Sequence, residues 1–259
     1  MAILHDALPF KTWMDPRLSR LPGIQPLDPE DWLRVDEVYA QQMAERERLL
    51  AERPCAVLAA LPGSEAAVDE LFEAVTARLP ALGFTAGSEG WRCPDGRFVA
   101  REGAPLAVLG RLVQEDLVLL QDGPDGHHVM TAAVLCFPAS WTLSEKIGRG
   151  LPGIHTPVAS YDTGVGKRVQ RLFDLIRPEQ PLWRGNVLDY IDPALFQPRR
   201  EAEKRAPDTE RRGYIRSERQ VLMRLPKTRA VLFAIHTYQV RRETLTPAEE
   251  AAFDARHRG

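Results

Sequence analysis

The spacing of apolar side chains changes period several times along the chain, and each change marks an element. Trp32, Val35, Tyr39 and Met43 recur at helical spacing, after Asp28 as a fitting N-cap, Pro29 at the first position and two acids in the first turn. This predicts a helix from Asp28 to just before Pro54, with the charge run AERERLLAER (44–53) as its solvated face. A second stripe, Val68, Leu71, Phe72, Val75 and Leu79, starts near Ser64 and is closed by Pro80. Upstream, residues 1–27 scatter prolines and single aromatics without any period and read as an irregular arm packed on the surface.

Glycines and a proline break up 82–105, which predicts loops with one short strand around Arg97–Ala100. After residue 110 the period shortens. Asp116–Gln121 and His128–Phe137 are apolar runs on either side of DGPDG (122–126), the pattern of a hairpin. Helical spacing returns from about Gly164 to Ile176, through Val165, Val169, Leu172 and Phe173, and stops before Pro178. Residues 181–206 read as irregular. Two long strands follow, Tyr214–Leu225 and Ala230–Val240, joined by residues 226–229; if that turn closes symmetrically, Arg219 falls opposite His236 and Ser217 opposite Tyr238. A short polar helix opens at Thr246-Pro247. This order predicts an α+β fold, divided into an arm with helices (1–105), a core (106–245) and a polar tail (246–259).

Composition narrows the function. A chain of 259 residues with 44% hydrophobic content can bury a sizeable core, and a formal net charge of −2 offers nothing to nucleic acid or an acidic membrane surface. No apolar run approaches the roughly 20 residues of a membrane span, and MAILHDALPFKTW has no charged segment followed by a long apolar one, so a cytoplasmic protein is expected. Cys55, Cys93 and Cys136 are widely spaced and odd in number, as reduced thiols would be. Without CxxC or a Cys/His cluster, any iron–sulfur centre belongs to a partner. GRGLPG and TGVGK lack the spacing of a nucleotide-phosphate loop.

Two of the six histidines are candidates for chemistry. His5 and His257 lie near the ends, and His127 and His128 fall at the predicted hairpin turn, where solvent is the plain expectation. His155 sits in IHTPV, among apolar neighbours and stiffened by Pro157, as an imidazole offered to a metal or haem iron should be; a hydrogen-bonded structural role fits the residue type as well. His236 shares its strand face with Leu232, Ala234 and Tyr238, and the facing Arg219 should keep it neutral. The run RSERQ (216–220) places Arg216, Glu218, Arg219 and Gln220 on one strand. Charge at such positions is costly unless paired, so the run either faces water or lines a site.

Several multi-residue blocks also carry a resemblance: PLDPEDWLRVDEVYAQQMAERERLL (26–50), GRLVQEDLVLL (110–120), CFPASWTLSEKIG (136–148), IHTPV (154–158), RVQRLFD (168–174), RSERQ (216–220) and RLPKTRAVLFAIHTY (224–238). In this order and over most of the chain, the sequence resembles the alpha subunits of haem-dependent oxidative N-demethylases. The resemblance implies a PAS-like antiparallel sheet with flanking helices, holding haem b. It implies oxidation of a small secondary amine such as dimethylamine with O2, and electrons from NADPH delivered through partner subunits carrying FMN and a 2Fe-2S cluster. It makes His155 the iron ligand. If the RSERQ strand lines the haem pocket rather than pairing its charges at the surface, Glu218 would accept a hydrogen bond from the ammonium form of the amine, while Arg219 and His236, with Arg149, Arg184 and Tyr161 as further partners, would meet the haem propionates. Where the family carries proline this chain has Ala159. A haem-based gas or redox sensor and a cofactor-free scaffold subunit remain open beside this reading.

Overall fold

The structure is a computed structural model that describes residues 2–19, 23–155, 163–203 and 212–257. It is a mixed α/β fold around a large antiparallel sheet. The strands are β1 (Gln25–Pro26), β2 (Leu58–Ala60), β3 (Thr85–Ala86), β4 (Gly90–Arg92), β5 (Phe98–Ala100), β6 (Asp116–Asp122), β7 (His128–Val134), β8 (Leu182–Tyr190), β9 (Tyr214–Arg224) and β10 (Val231–Arg241). Among the described residues, one sheet runs β1-β8-β9-β10-β6-β7-β2, and β3-β4-β5 form a small second one.

Alternation along the strands gives the large sheet two different faces. Leu117, Leu119, Ala132, Val134, Val221, Leu232 and Ala234 pack under the helices Tyr39–Glu52, Glu65–Arg78 and Pro105–Leu112. Val118, Leu120, Met130, Leu222 and Val231 point the other way, against Leu143, Leu151, Phe173 and Ile176. The segment covering this second face includes the short helix Leu151–His155 and the helix Thr163–Leu175. β10 outruns its neighbour β6, which pairs with it only from Val231 to Ile235. The exposed edge beyond is closed by the N-terminal arm and the first long helix: His5 N–H donates to Gln239 O at 2.7 Å, and Gln42 Nε2 to Thr237 O at 2.9 Å.

The β9–β10 hairpin sets Arg219 opposite His236 and Ser217 opposite Tyr238. Elsewhere the structure departs from the periodic reading. The first long helix starts at Tyr39, not Asp28, because two aspartates divert the backbone into turns first. Asp28 Oδ1 accepts from Glu30 N at 2.9 Å and Asp36 Oδ1 from Val38 N at 3.1 Å. Nor is its charge run all solvated: Arg48 pairs with Glu45 and Glu52 at the surface, but Arg46 is wholly buried. Residues 182–190, read as irregular, form β8, which pairs with β9 along its whole length. The loops of 82–105 contain three short strands rather than one, and the helix Pro105–Leu112 precedes the sheet where none was expected. The last helix, Pro247–His257, has the expected Thr246 cap, whose Oγ1 accepts from Glu249 N at 3.4 Å while Glu249 Oε2 accepts from Thr246 N at 2.9 Å. It is less polar than expected, since Phe253 is buried with Trp13 and Tyr238.

His128 also departs from expectation, being 1% exposed. It is wedged between the β6–β7 hairpin and the helix Thr163–Leu175, with Nδ1 2.8 Å from Gln170 Nε2 and its ring edge-on to Phe173. Burial lowers its pKa, and Arg224 acts in the same direction; Asp122, Asp174 and the Gln170 contact oppose this and lose. The native state therefore favours neutral imidazole, whose stabilisation is complete above the ordinary value of 6.5 and declines as pH falls below it. Urea midpoints should fall between about pH 7.5 and 5.5, and His128→Gln should flatten that slope. An unchanged slope in the variant would clear His128 of the effect.

Candidate functional site

The face of β8, β9 and β10 that shares an apolar cluster with Leu151 and Phe173 grades from apolar to polar. Near the helices it presents Leu222 and Val231, both buried, and the partly covered Phe233, while Trp141, Ile147, Ile154, Val169 and Leu172 of the covering segment pack against the same cluster and are also only partly covered. Further along it carries Glu218, aligned between Asn186 on β8 and Thr237 on β10. Glu218 is 5% exposed. Its Oε2 accepts from Gln220 Nε2 at 2.9 Å and from Asn186 Nδ2 at 3.4 Å, and its Oε1 lies 3.2 Å from Arg216 Nη2. Arg216 is fully buried and immobilised by its other contacts, donating to Leu195 O at 3.0 Å, to Phe137 O and to Thr237 Oγ1 at 3.3 Å. Its Nε has no hydrogen-bond partner among the described residues. A carboxylate held in this way is paired, directed and screened from water.

The structure does not bring the other sequence candidates to this face as one set. Arg219 and His236 alternate to the opposite side of the sheet, beneath residues 31–36, and both are buried. Arg219 Nη2 donates to Asp31 O and lies 3.1 Å from Asp31 Oδ2. His236 is clasped by two acids, with Nδ1 2.8 Å from Glu115 Oε1 and Nε2 2.9 Å from Asp36 Oδ2. Burial pulls its pKa down, but the Glu115 charge and the Asp36 and Glu115 hydrogen bonds outweigh this and hold it at about 9. The expectation of a neutral histidine kept so by Arg219 is thus corrected: the nearer acids make it an imidazolium. Arg149 is partly exposed and ion-paired with Glu201 at 2.9 Å. Arg184 is half-buried, opposite Gln220 on the Glu218 face. The backbone of His155 ends the Leu151–His155 helix, whose Leu151 and Ile154 pack in the apolar cluster on that side of the sheet; the His155 side chain, and Tyr161 altogether, lie outside the described residues.

His236 belongs to a polar array that periodicity concealed. Asp36 Oδ2 also accepts from His5 Nε2 at 2.8 Å, and Gln114 Nε2 donates to Asp36 Oδ1 at 2.7 Å. Two hydrogen-bonding histidines hold the Asp36 carboxyl far below its usual range despite its burial. The ligand atoms of His5, Asp36 and His236 lie within 4.8 Å of one another, close enough for one cation. Protons account for the array more simply. Gln239 N–H donates to His5 Nδ1 at 3.1 Å, which places the histidine's own proton on Nε2, pointing at Asp36 and closing that nitrogen to a metal. Arg46 anchors the neighbouring end of β6, donating from Nη1 to Asp116 Oδ1 at 2.7 Å. A signal for Arg46 existed, since it continues the buried stripe of Tyr39 and Met43 at helical spacing.

The Glu218 face suits a flat, largely apolar prosthetic group with charge at one rim. It offers half-covered aliphatic and aromatic side chains in a cluster shared with Leu151 and Ile154 of a helix ending in histidine, and a buried arginine nitrogen without a partner among the described residues at its polar end. Among the described residues no helix is long and apolar enough to cross a membrane. Residues 23–256 match the family described as haem-dependent oxidative N-demethylase, alpha subunit-like. That match runs from β1 through nearly all of the last helix and takes in both faces of the sheet, so the chain belongs to the haem-dependent oxidative N-demethylase, alpha subunit-like family.

Proposed function

We propose that this chain is the haem-bearing subunit of an oxidative N-demethylase acting on a small secondary amine such as dimethylamine, yielding the shorter amine and formaldehyde. The observation that carries the reading is Glu218, a buried and directed carboxylate on the same side of the sheet as the apolar cluster that includes Leu151 of the helix ending at His155. In this reading the sheet and its covering helices are a PAS-like haem cradle, and His155 is the iron ligand. Haem b, when bound, supplies O2 activation and the oxidising power. The chain's own part is binding and orientation. Glu218 accepts a hydrogen bond from the substrate ammonium and fixes where its N-methyl group lies. The half-buried Trp141, Ile147, Phe233 and Leu172 exclude water from the methyl groups. Electrons come from NADPH through partner subunits carrying FMN and a 2Fe-2S cluster, since the sequence has no motif for these groups. A haem sensor of the same fold would have no evident use for a buried anionic acceptor.

The test is the absorption spectrum of the protein expressed with ample haem, oxidised and as the reduced carbon monoxide form, beside His155→Ala. The wild type should show a Soret band that the variant loses or shifts, and with a reductase it should release formaldehyde from dimethylamine. Absence of any Soret band from haem-replete wild type would end the proposal.

A further inference from the structure

The Glu218 carboxylate is already largely occupied, and what remains of it restricts what it can bind. We propose that Gln220 is a second amine-binding residue, and that Arg216 and Gln220 together make the site count the N–H groups of its substrate. The inference rests on the reading of Glu218 as the amine acceptor.

A carboxylate has about four acceptor positions. On Glu218, Arg216 takes one on Oε1, while Gln220 and Asn186 take those on Oε2. About one is left, on Oε1, for a ligand. Arg216 cannot turn aside to free another, because its guanidinium is tied to the Leu195 and Phe137 carbonyls and to Thr237. It is a positioning residue that fixes where the open acceptor lies.

Gln220 supplies the second acceptor. A carboxylate only accepts, so the glutamine nitrogen must face Glu218, which turns its carbonyl oxygen Oε1 away. That oxygen accepts no hydrogen bond among the described residues, and the side chain is half-buried on the same face. A dialkylammonium ion has two N–H groups, one for Glu218 Oε1 and one for Gln220 Oε1. A trialkylammonium ion has one, and leaves the Gln220 carbonyl unpaired and desolvated. Discrimination between the two therefore falls to Gln220, not to the charge.

The experiment is calorimetric titration of dimethylammonium and trimethylammonium into the haem-loaded protein, with Soret difference spectra as a second readout. Gln220→Leu should weaken dimethylammonium binding about tenfold and, by removing the carbonyl that trimethylammonium leaves unpaired, tighten trimethylammonium binding, collapsing their ratio. Arg216→Lys should weaken both amines alike and preserve the ratio, as expected of a residue that acts through Glu218. Should that variant fail to fold, Gln220→Leu decides alone. Glu218→Gln separates the two levels of the argument. If it leaves both affinities intact, the reading of Glu218 fails; if it weakens both while Gln220→Leu leaves their ratio unchanged, only the inference about Gln220 is overturned.

Discussion

Arg46→Ala should lower the free energy of unfolding by about 3–5 kcal/mol, a large part of what a domain of this size commands. The side chain is fully buried in the helix Tyr39–Glu52, and its fork does several jobs at once. Nε donates to Gly110 O at 3.0 Å, Nη1 to Gln114 O at 3.2 Å and to Asp116 Oδ1 at 2.7 Å, and Nη2 to Glu115 O at 3.0 Å. Asp116 in turn receives Cys136 N at 2.7 Å and Phe137 N at 2.8 Å, so one ion pair ties the first long helix, the end of Pro105–Leu112, β6 and the chain after β7 together. Truncation leaves an uncompensated buried carboxylate and three carbonyls without donors. Lysine cannot reproduce the planar fork, so Arg46→Lys should recover only a minority of the loss. Urea unfolding of the wild type and both variants measures this directly, and a loss under about 1 kcal/mol for Arg46→Ala would show that solvent enters to replace the guanidinium.

His236 makes the second large contribution, with an opposite pH dependence to His128. Its pKa rises on folding from 6.5 to about 9. Stabilisation from the imidazolium is therefore complete below 6.5 and is lost as pH climbs through 9, with about 3 kcal/mol at stake. The charged and titratable groups around it are Glu115, Asp36, Arg219 and Tyr238, with His5 and Arg34 behind them. Deprotonation of the imidazolium removes a cation from between the two carboxyl groups that clasp it. Stability should decline on the alkaline side of neutrality in wild type and much less in His236→Gln, which starts lower. A wild-type profile flat from about pH 6.5 to 9 would show that folding does not raise the His236 pKa. Combined with His128, this predicts greatest stability near the crossover of the two titrations.

Much of this architecture is legible in the sequence because it depends on local periodicity. The 122–126 turn, the helix of residues 163–175 and the β9–β10 register all follow from spacing and turn residues. β8 escaped because Arg184, Gly185, Asn186 and Asp189 interrupt its apolar alternation; the partner it pairs with along its whole length, β9, lies more than 20 residues away, and such distant pairing makes it a strand. The Asp28 start failed because Asp28 and Asp36 satisfy nearby backbone donors themselves, a competition that a hydrophobic stripe does not register. For the site, Glu218 and Arg219 were legible as costly charges on a strand, but their assignment to opposite faces, with different partners, required the neighbouring strands. Asp36 and Glu115 were invisible as partners of His236, because each comes from a segment more than 100 residues distant.

Along β9, Arg216, Glu218 and Gln220 serve one side of the sheet while Ile215, Arg219 and Val221 serve the other. Inserting or deleting a single residue between 214 and 220 would exchange the two sets, turning Arg219 and its apolar neighbours toward Asn186 and Thr237 and Glu218 toward residues 31–36. In descent, this strand can therefore change its letters but not its length. Drift in chain length belongs instead to the loops that join the strands, where an added residue shifts no alternation.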